Sequence, residues 1–312
     1  MIFALRGVAV SLTFFVLIYC LLSALVVVAW RAVRVLRLTA DGLAVGLFAL
    51  RVLPLVASFV ITLAFVVPSF QLLEPRSADE GMGVMPVALG LCALLLIAAG
   101  CFRVAKAQRG TSRVVARWQQ GARPLNAGLA AATLQSRREA PPLMLVGVRG
   151  PRVLVSESAV ELLTKHELQI ALRHELAHMR SRDNLKKLIC RFCPFPGMAA
   201  LESAWSQAAE MAADDAAVAK VDDAVDLAAA LVKLSRLVPV DAPPVCTVGF
   251  VTGSLSARVT RLLAWDGSAK ARGLAVRPWN FVAPVLVLIF CAFATYGPVL
   301  ALTHEATEWL VR

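Results

Sequence analysis

His174-Glu175-Leu176-Ala177-His178 sets two imidazoles four residues apart, with a carboxylate directly after the first. On a helix, residues four apart share a face, so both rings can reach one metal ion. Neutral imidazole suits zinc. Glu175 leaves the helix about 100° round from His174. Its carboxylate then stands beside the ion rather than on it, placed to take a proton from zinc-bound water and hand it to a leaving amine. The chemistry this spacing points to is peptide-bond hydrolysis. The chain has only four histidines, and two of them fall in this one motif.

A catalytic zinc takes three protein ligands and leaves a fourth position open. The Ala-rich stretch from Ala199 to about Val221 offers Glu202 and Glu210. Glu210 is followed four residues later by Asp214, on the same helix face. Glu210 is therefore the expected third ligand. Asp214 is the expected acceptor for the second N–H of a ligating histidine, fixing its tautomer. Ala208, Ala209, Ala212, Ala213, Ala216 and Ala217 would let this helix approach closely.

The elements that must hold these groups can also be read. Thr164 with Glu167 forms a capping box that opens a helix running to about Arg182 and carrying both histidines. Ser158 with Glu161 suggests a short helix before it. Leu143–Val148 and Arg152–Val155 read as two strands. The second of these, just ahead of the zinc helix, is taken as an edge strand. Val153, Leu154 and Val155 are then candidates to pair with an extended peptide substrate. Asn184–Phe192 and Val225–Leu237 read as amphipathic helices, Ser254–Trp265 as a last helix, and residues 103–140 as a basic helical exit followed by a linker. Cys190 and Cys193 form a C-x-x-C without a second pair or a βαβ setting, so buried thiols are expected. His166 and His304 read as structural.

Composition says where this unit sits. Of the 312 residues, 59% are hydrophobic and 17% charged, and mean hydropathy is +0.71. Soluble domains run nearer 45–50% apolar and ~25% charged, and a disordered chain is excluded. Four uncharged runs, about 7–30, 52–73, 81–102 and 278–303, reach the ~20 residues a membrane span needs. The link after the first run carries Arg31, Arg34, Arg37 and Arg51. The link after the second carries Glu74, Asp79 and Glu80 against Arg76. Arg103, Lys106, Arg109, Arg113 and Arg117 follow the third. The positive-inside rule then puts both termini outside and the 105–277 stretch in the cytoplasm, with 304–312 as a short outer tail. The net charge of +11 is read as attraction to anionic lipid rather than to nucleic acid, for which no signature appears.

The run from His174 through Arg182 to Asp183-Asn184-Leu185 resembles the BlaR/MecR-type membrane zinc peptidases. Glu210-Met-Ala-Ala-Asp214-Asp215 is similar to that family's second motif. Weaker echoes are Val146-Gly147, Pro151-Arg152-Val153 and Arg258-Val-Thr-Arg261-Leu-Leu263. The resemblance implies a mainly α integral membrane protein of a bacterial inner membrane, with four spans. A gluzincin-like α+β peptidase domain would lie between spans three and four. It also implies one Zn2+ on His174, His178 and Glu210, with Glu175 as base. The expected substrate is a regulatory or membrane protein, or the chain itself, in signal transduction. The penicillin-binding sensor of the best-known members has no counterpart before Arg312. Two alternatives stay open: an HtpX-like membrane quality-control metallopeptidase, and a non-catalytic signalling scaffold with a peptidase fold. Substrate, activating signal and oligomeric state are not legible.

Overall fold

A computed structural model describes residues 2–33, 38–74, 83–125, 133–136, 141–237, 248–249, 255–267 and 295–311. Three helical segments carry the first three apolar runs. The first is α1 (Ile2–Val33). The second runs unbroken from Ala40 to Leu73, as α2 (Ala40–Ile61), a π-helical turn (Thr62–Val66) and α3 (Val67–Leu73). The third is α4 (Val84–Gln119). All three are long and apolar enough to cross a membrane. Leu21, Leu95 and Phe102 stay more than half exposed on them, as side chains facing lipid would.

Each helix outruns its apolar stretch. The second starts at Thr39, whose side chain caps Gly42 N–H, thirteen residues before the apolar run at Val52. Arg51 therefore lies inside a helix, not at the end of a link. The third continues through Arg103, Lys106, Arg109, Arg113 and Arg117 as one rod, the expected helical exit, and ends at Gln119. Residues 278–294, most of the expected fourth span, lie outside the described residues, as do Arg34, Arg37, Arg76, Asp79 and Glu80. Tyr296–Val311 is helical (α11) and packs on the π turn and α3, so the expected outer tail continues this helix.

After α4 come β1 (Arg123–Pro124), β2 (Thr133–Ser136), β3 (Leu143–Val146), β4 (Arg152–Ser156), α5 (Glu157–Leu162), α6 (Lys165–Arg180), α7 (Asp183–Phe192), α8 (Ala199–Ala217), α9 (Val221–Ser235), β5 (Val248–Gly249) and α10 (Leu255–Leu263). The sheet order is β1-β2-β4-β3-β5, with β2 and β4 parallel and the other neighbours antiparallel. Period-two alternation gives it two apolar faces. Leu143, Leu145, Val153 and Val155 meet Ile170 and Ala171 of α6 and Leu227, Leu231 and Leu234 of α9. Met144, Val146 and Leu154 face Val115 and Trp118 near the end of α4.

This overturns the edge-strand expectation. β4 is paired on both sides, and Val153, Leu154 and Val155 are each at most 1% exposed. They are core residues with no open edge to offer a peptide. The unforeseen strand is β2, which takes the position beside β4 that looked free.

A second core joins the apolar helices to the unit built around the sheet. Val26 and Trp30 of α1 and Ala44 and Leu47 of α2 pack with Leu201, Trp205 and Ala208 of α8. Apolar burial of this kind stabilises by about 1.5–3 kcal/mol per large side chain, so the two parts are fused rather than tethered.

Candidate metal centre

The expected capping box on α6 is complete. Glu167 N–H donates to Thr164 Oγ1 at 3.2 Å, and Thr164 N–H donates to Glu167 at 2.8 Å. The helix buries His174, Glu175 and His178 on the face that meets α8. α8 answers with small residues. Ala208, Ala209, Ala213 and Ala217 are buried, which allows the close approach, while Ala216 points out. Glu210 and Asp214 project from the same face into the gap. Ser156, not Ser158, caps the short helix before α6, accepting from Ala159 N–H.

His174 Nε2 lies 3.1 Å from His178 Nε2 and 3.5 Å from Glu210 Oε2, and His178 Nε2 lies 3.7 Å from Glu210 Oε1. A tetrahedral ion with bonds of about 2.0–2.1 Å holds its donor atoms about 3.3–3.4 Å apart. The three residues form a buried triangle of that size, able to hold one metal ion.

The far ring nitrogens are tied. His174 Nδ1 lies 3.0 Å from Asp214 Oδ1, the partner read from the spacing. His178 Nδ1–H donates to Asp183 Oδ2 at 2.7 Å. Asp183 opens α7, after a left-handed residue at Arg182 (φ 54°) that turns the chain. Asn184 then donates to the carbonyls of Leu145 and Gly147, pinning the start of α7 to the β3 hairpin. Two carboxylates thus orient two imidazoles and leave both Nε2 atoms facing the triangle.

Arg258, on α10, completes the arrangement. It donates to both oxygens of Asp214, at 2.9 and 2.6 Å, and its third nitrogen lies 2.9 Å from Glu210 Oε2. Arg261 pairs with Asp215 one turn on. The motif around Arg258 was visible in the sequence; its contact with the site was not, because some fifty residues separate the partners. Asp183 is likewise visible within the run that begins at His174, but its role is not. The signal for it was the short distance from His178 combined with a helix end between them.

The electrostatics follow from burial and these contacts. Burial pushes Glu210 up, but hydrogen bonds with His174 and His178 outweigh it and hold the carboxyl well below the usual range. Asp214 is also lowered, burial being outweighed by His174 and then Arg258. Burial pulls the His178 ring down, while hydrogen bonds to Asp183 and Glu210 push it up further, so the net direction is upward. Glu175 goes the other way. It is fully buried, burial is its largest influence, and its pKa is raised. A backbone hydrogen bond from Leu145 offsets only part of this.

Glu202, the other candidate ligand, is not here; it pairs with Arg51 of α2. His166 pairs with Asp226, and His304 lies near Glu74 and Glu308.

A bundle of apolar helices fused to a unit with a buried His-His-Glu triangle defines a membrane protein able to bind a metal. Comparison with family models then matches residues 87–262, more than half of the chain, to BlaR1 peptidase M56. The chain belongs to that family and is a membrane metallopeptidase of BlaR1 type. The matched stretch contains His174, Glu175, His178, Asp183, Glu210, Asp214 and Arg258. A search of curated proteins gave no match.

Proposed function

We propose that this chain is an integral membrane zinc endopeptidase with its active site on the cytoplasmic side. It cleaves a regulatory or membrane protein, or itself, in response to a signal received by the membrane part. The observation that carries this is the donor triangle of 3.1–3.7 Å with Glu175 buried beside it.

His174, His178 and Glu210 would hold the ion. Zinc, when bound, supplies a Lewis acid that acidifies water and polarises a peptide carbonyl. Asp214 and Asp183 keep both imidazoles in the tautomer that presents Nε2. Arg258 keeps Glu210 and Asp214 anionic and in place. Glu175 accepts a proton, holds it in a dry pocket where its raised pKa suits the task, and delivers it to the leaving amine. The charges that flank the helices support the cytoplasmic placement. A scaffold without activity would be free to lose Glu175 or a ligand, and every one is present.

Purified full-length protein should hold about one zinc per chain, and His174→Ala or His178→Ala should reduce this. Glu175→Gln should keep the zinc and stop cleavage. Comparative proteomics of cells carrying wild type or Glu175→Gln should then show a protein that accumulates uncleaved. A fully active Glu175→Gln variant would remove the general-base role.

A further inference from the structure

α7 is held at both ends. At its start, Asp183 fixes the orientation of His178. About 15 Å away along a helix of ten residues, its last turn meets all three described membrane helices. Arg51 of α2 donates to the carbonyl of Cys190 at 2.8 Å and to that of Cys193 at 2.6 Å. Tyr19 of α1 donates its hydroxyl to the same Cys193 carbonyl at 3.1 Å. Gly100 of α4 sits so close that a Cβ there would collide with the Phe192 carbonyl.

The last carbonyls of a helix have no partner within it. Here they are supplied by side chains from elsewhere in the chain. Arg51 is 2% exposed, and a buried guanidinium is retained only where its donors are matched. Its remaining contact is Glu202 Oε1 at 2.7 Å, on α8, the helix that carries Glu210 eight residues later. One side chain of a membrane helix therefore grips both elements that position the metal triangle.

The C-x-x-C gains a plain explanation. Burial pushes the Cys190 and Cys193 thiols up to about 11 and about 12, so they are poor nucleophiles. What these positions contribute is main-chain oxygen.

We infer that Arg51 and Tyr19 are positioning residues for the metal centre, acting through α7 as a rigid lever whose other end is Asp183. A shift of α1 or α2 against the peptidase unit changes how His178 and Glu210 are presented. This deepens the proposed function by naming the path from membrane to site, and it rests on that reading. Arg51 touches neither metal nor substrate.

The test uses the full-length protein in detergent or nanodiscs, stripped and reloaded with Co2+, with affinity and visible spectrum as readouts. Arg51→Gln should weaken Co2+ binding by about 2- to 30-fold and alter the spectrum, and Arg51→Lys should recover part of both. Tyr19→Phe loses one hydroxyl and should shift both in the same direction by less. It also serves if Arg51→Gln does not fold. In an Asp183→Asn background, Arg51→Gln should have a clearly smaller effect, what remains passing through Glu202 and α8, because the lever has lost its tip. A folded Arg51→Gln with wild-type affinity and spectrum, or effects that simply add to those of Asp183→Asn, would overturn the lever alone. Wild type that binds no Co2+ would overturn the metal centre and the lever with it.

Discussion

Arg258 and Arg51 are both buried guanidiniums, 4% and 2% exposed, yet their surroundings balance differently. Around Arg258 stand Glu210 and Asp214, with Glu175 acting on it from further off and Asp183 holding the far nitrogen of His178. Four carboxyl groups gather about two imidazoles and one guanidinium, with Lys186 reaching Asp183 from the side. Buried charge is tolerated only when compensated, and a divalent cation supplies what this cluster needs. Around Arg51 there is one carboxylate, half in solvent, and two backbone carbonyls. That set is complete by itself. The first cluster is built to bind; the second is built to hold.

The contrast can be broken at several points. Arg258→Met leaves Glu210 and Asp214 buried without their counter-charge, and should cost about 3–5 kcal/mol of stability. Chemical denaturation should show it, and added zinc should recover part of the loss. Chelation of the metal should lower the melting temperature, by an amount matching about 2.7–4 kcal/mol when free zinc was 100 to 1,000 times Kd. No change in melting temperature on chelation would contradict the charge argument. Asp183→Asn frees the His178 ring and should weaken metal binding about 10- to 100-fold, read by competition with a chelating dye. Glu202→Gln, in the self-sufficient cluster, keeps an acceptor for Arg51 and should cost no more than about 1 kcal/mol.

The smallest effect lies outside both clusters. Burial pushes Glu167 up, but Lys233, at 2.7 and 2.8 Å from its two oxygens, outweighs this and holds it below its usual value. A lowered folded pKa means that the unfolded chain binds more protons over the interval between the two values. The stabilisation is therefore present above the ordinary glutamate range and is lost as pH falls through the folded pKa. Lys233→Met should move the acid-unfolding midpoint upward, and its own effect should fade as pH falls below the ordinary glutamate range. An unchanged acid midpoint would count against this pair.

How much was legible follows from where the information sits. The His174–His178 pair, Glu175, Glu210 and Asp214 were readable because helix periodicity places residues four apart on one face. The Thr164–Glu167 box was readable for the same reason of short range. Asp183 needed the left-handed turn at Arg182, which no pattern announced. Arg258 and Arg51 needed tertiary contacts across some fifty and one hundred and fifty residues. β2 was missed because four residues, Thr133–Ser136, carry too little periodicity to separate strand from linker. Without β2, β4 looks like an edge, and three core residues look free to pair with a peptide.

The core shared by α1, α2 and α8 has a practical consequence. Cutting away the membrane helices would strip Leu201 and Trp205 of their cover and leave the Glu210 helix with a bare apolar flank. A soluble catalytic fragment that begins after residue 103 should aggregate or lose metal affinity, so biochemical work on this peptidase has to keep the whole bundle in lipid or detergent.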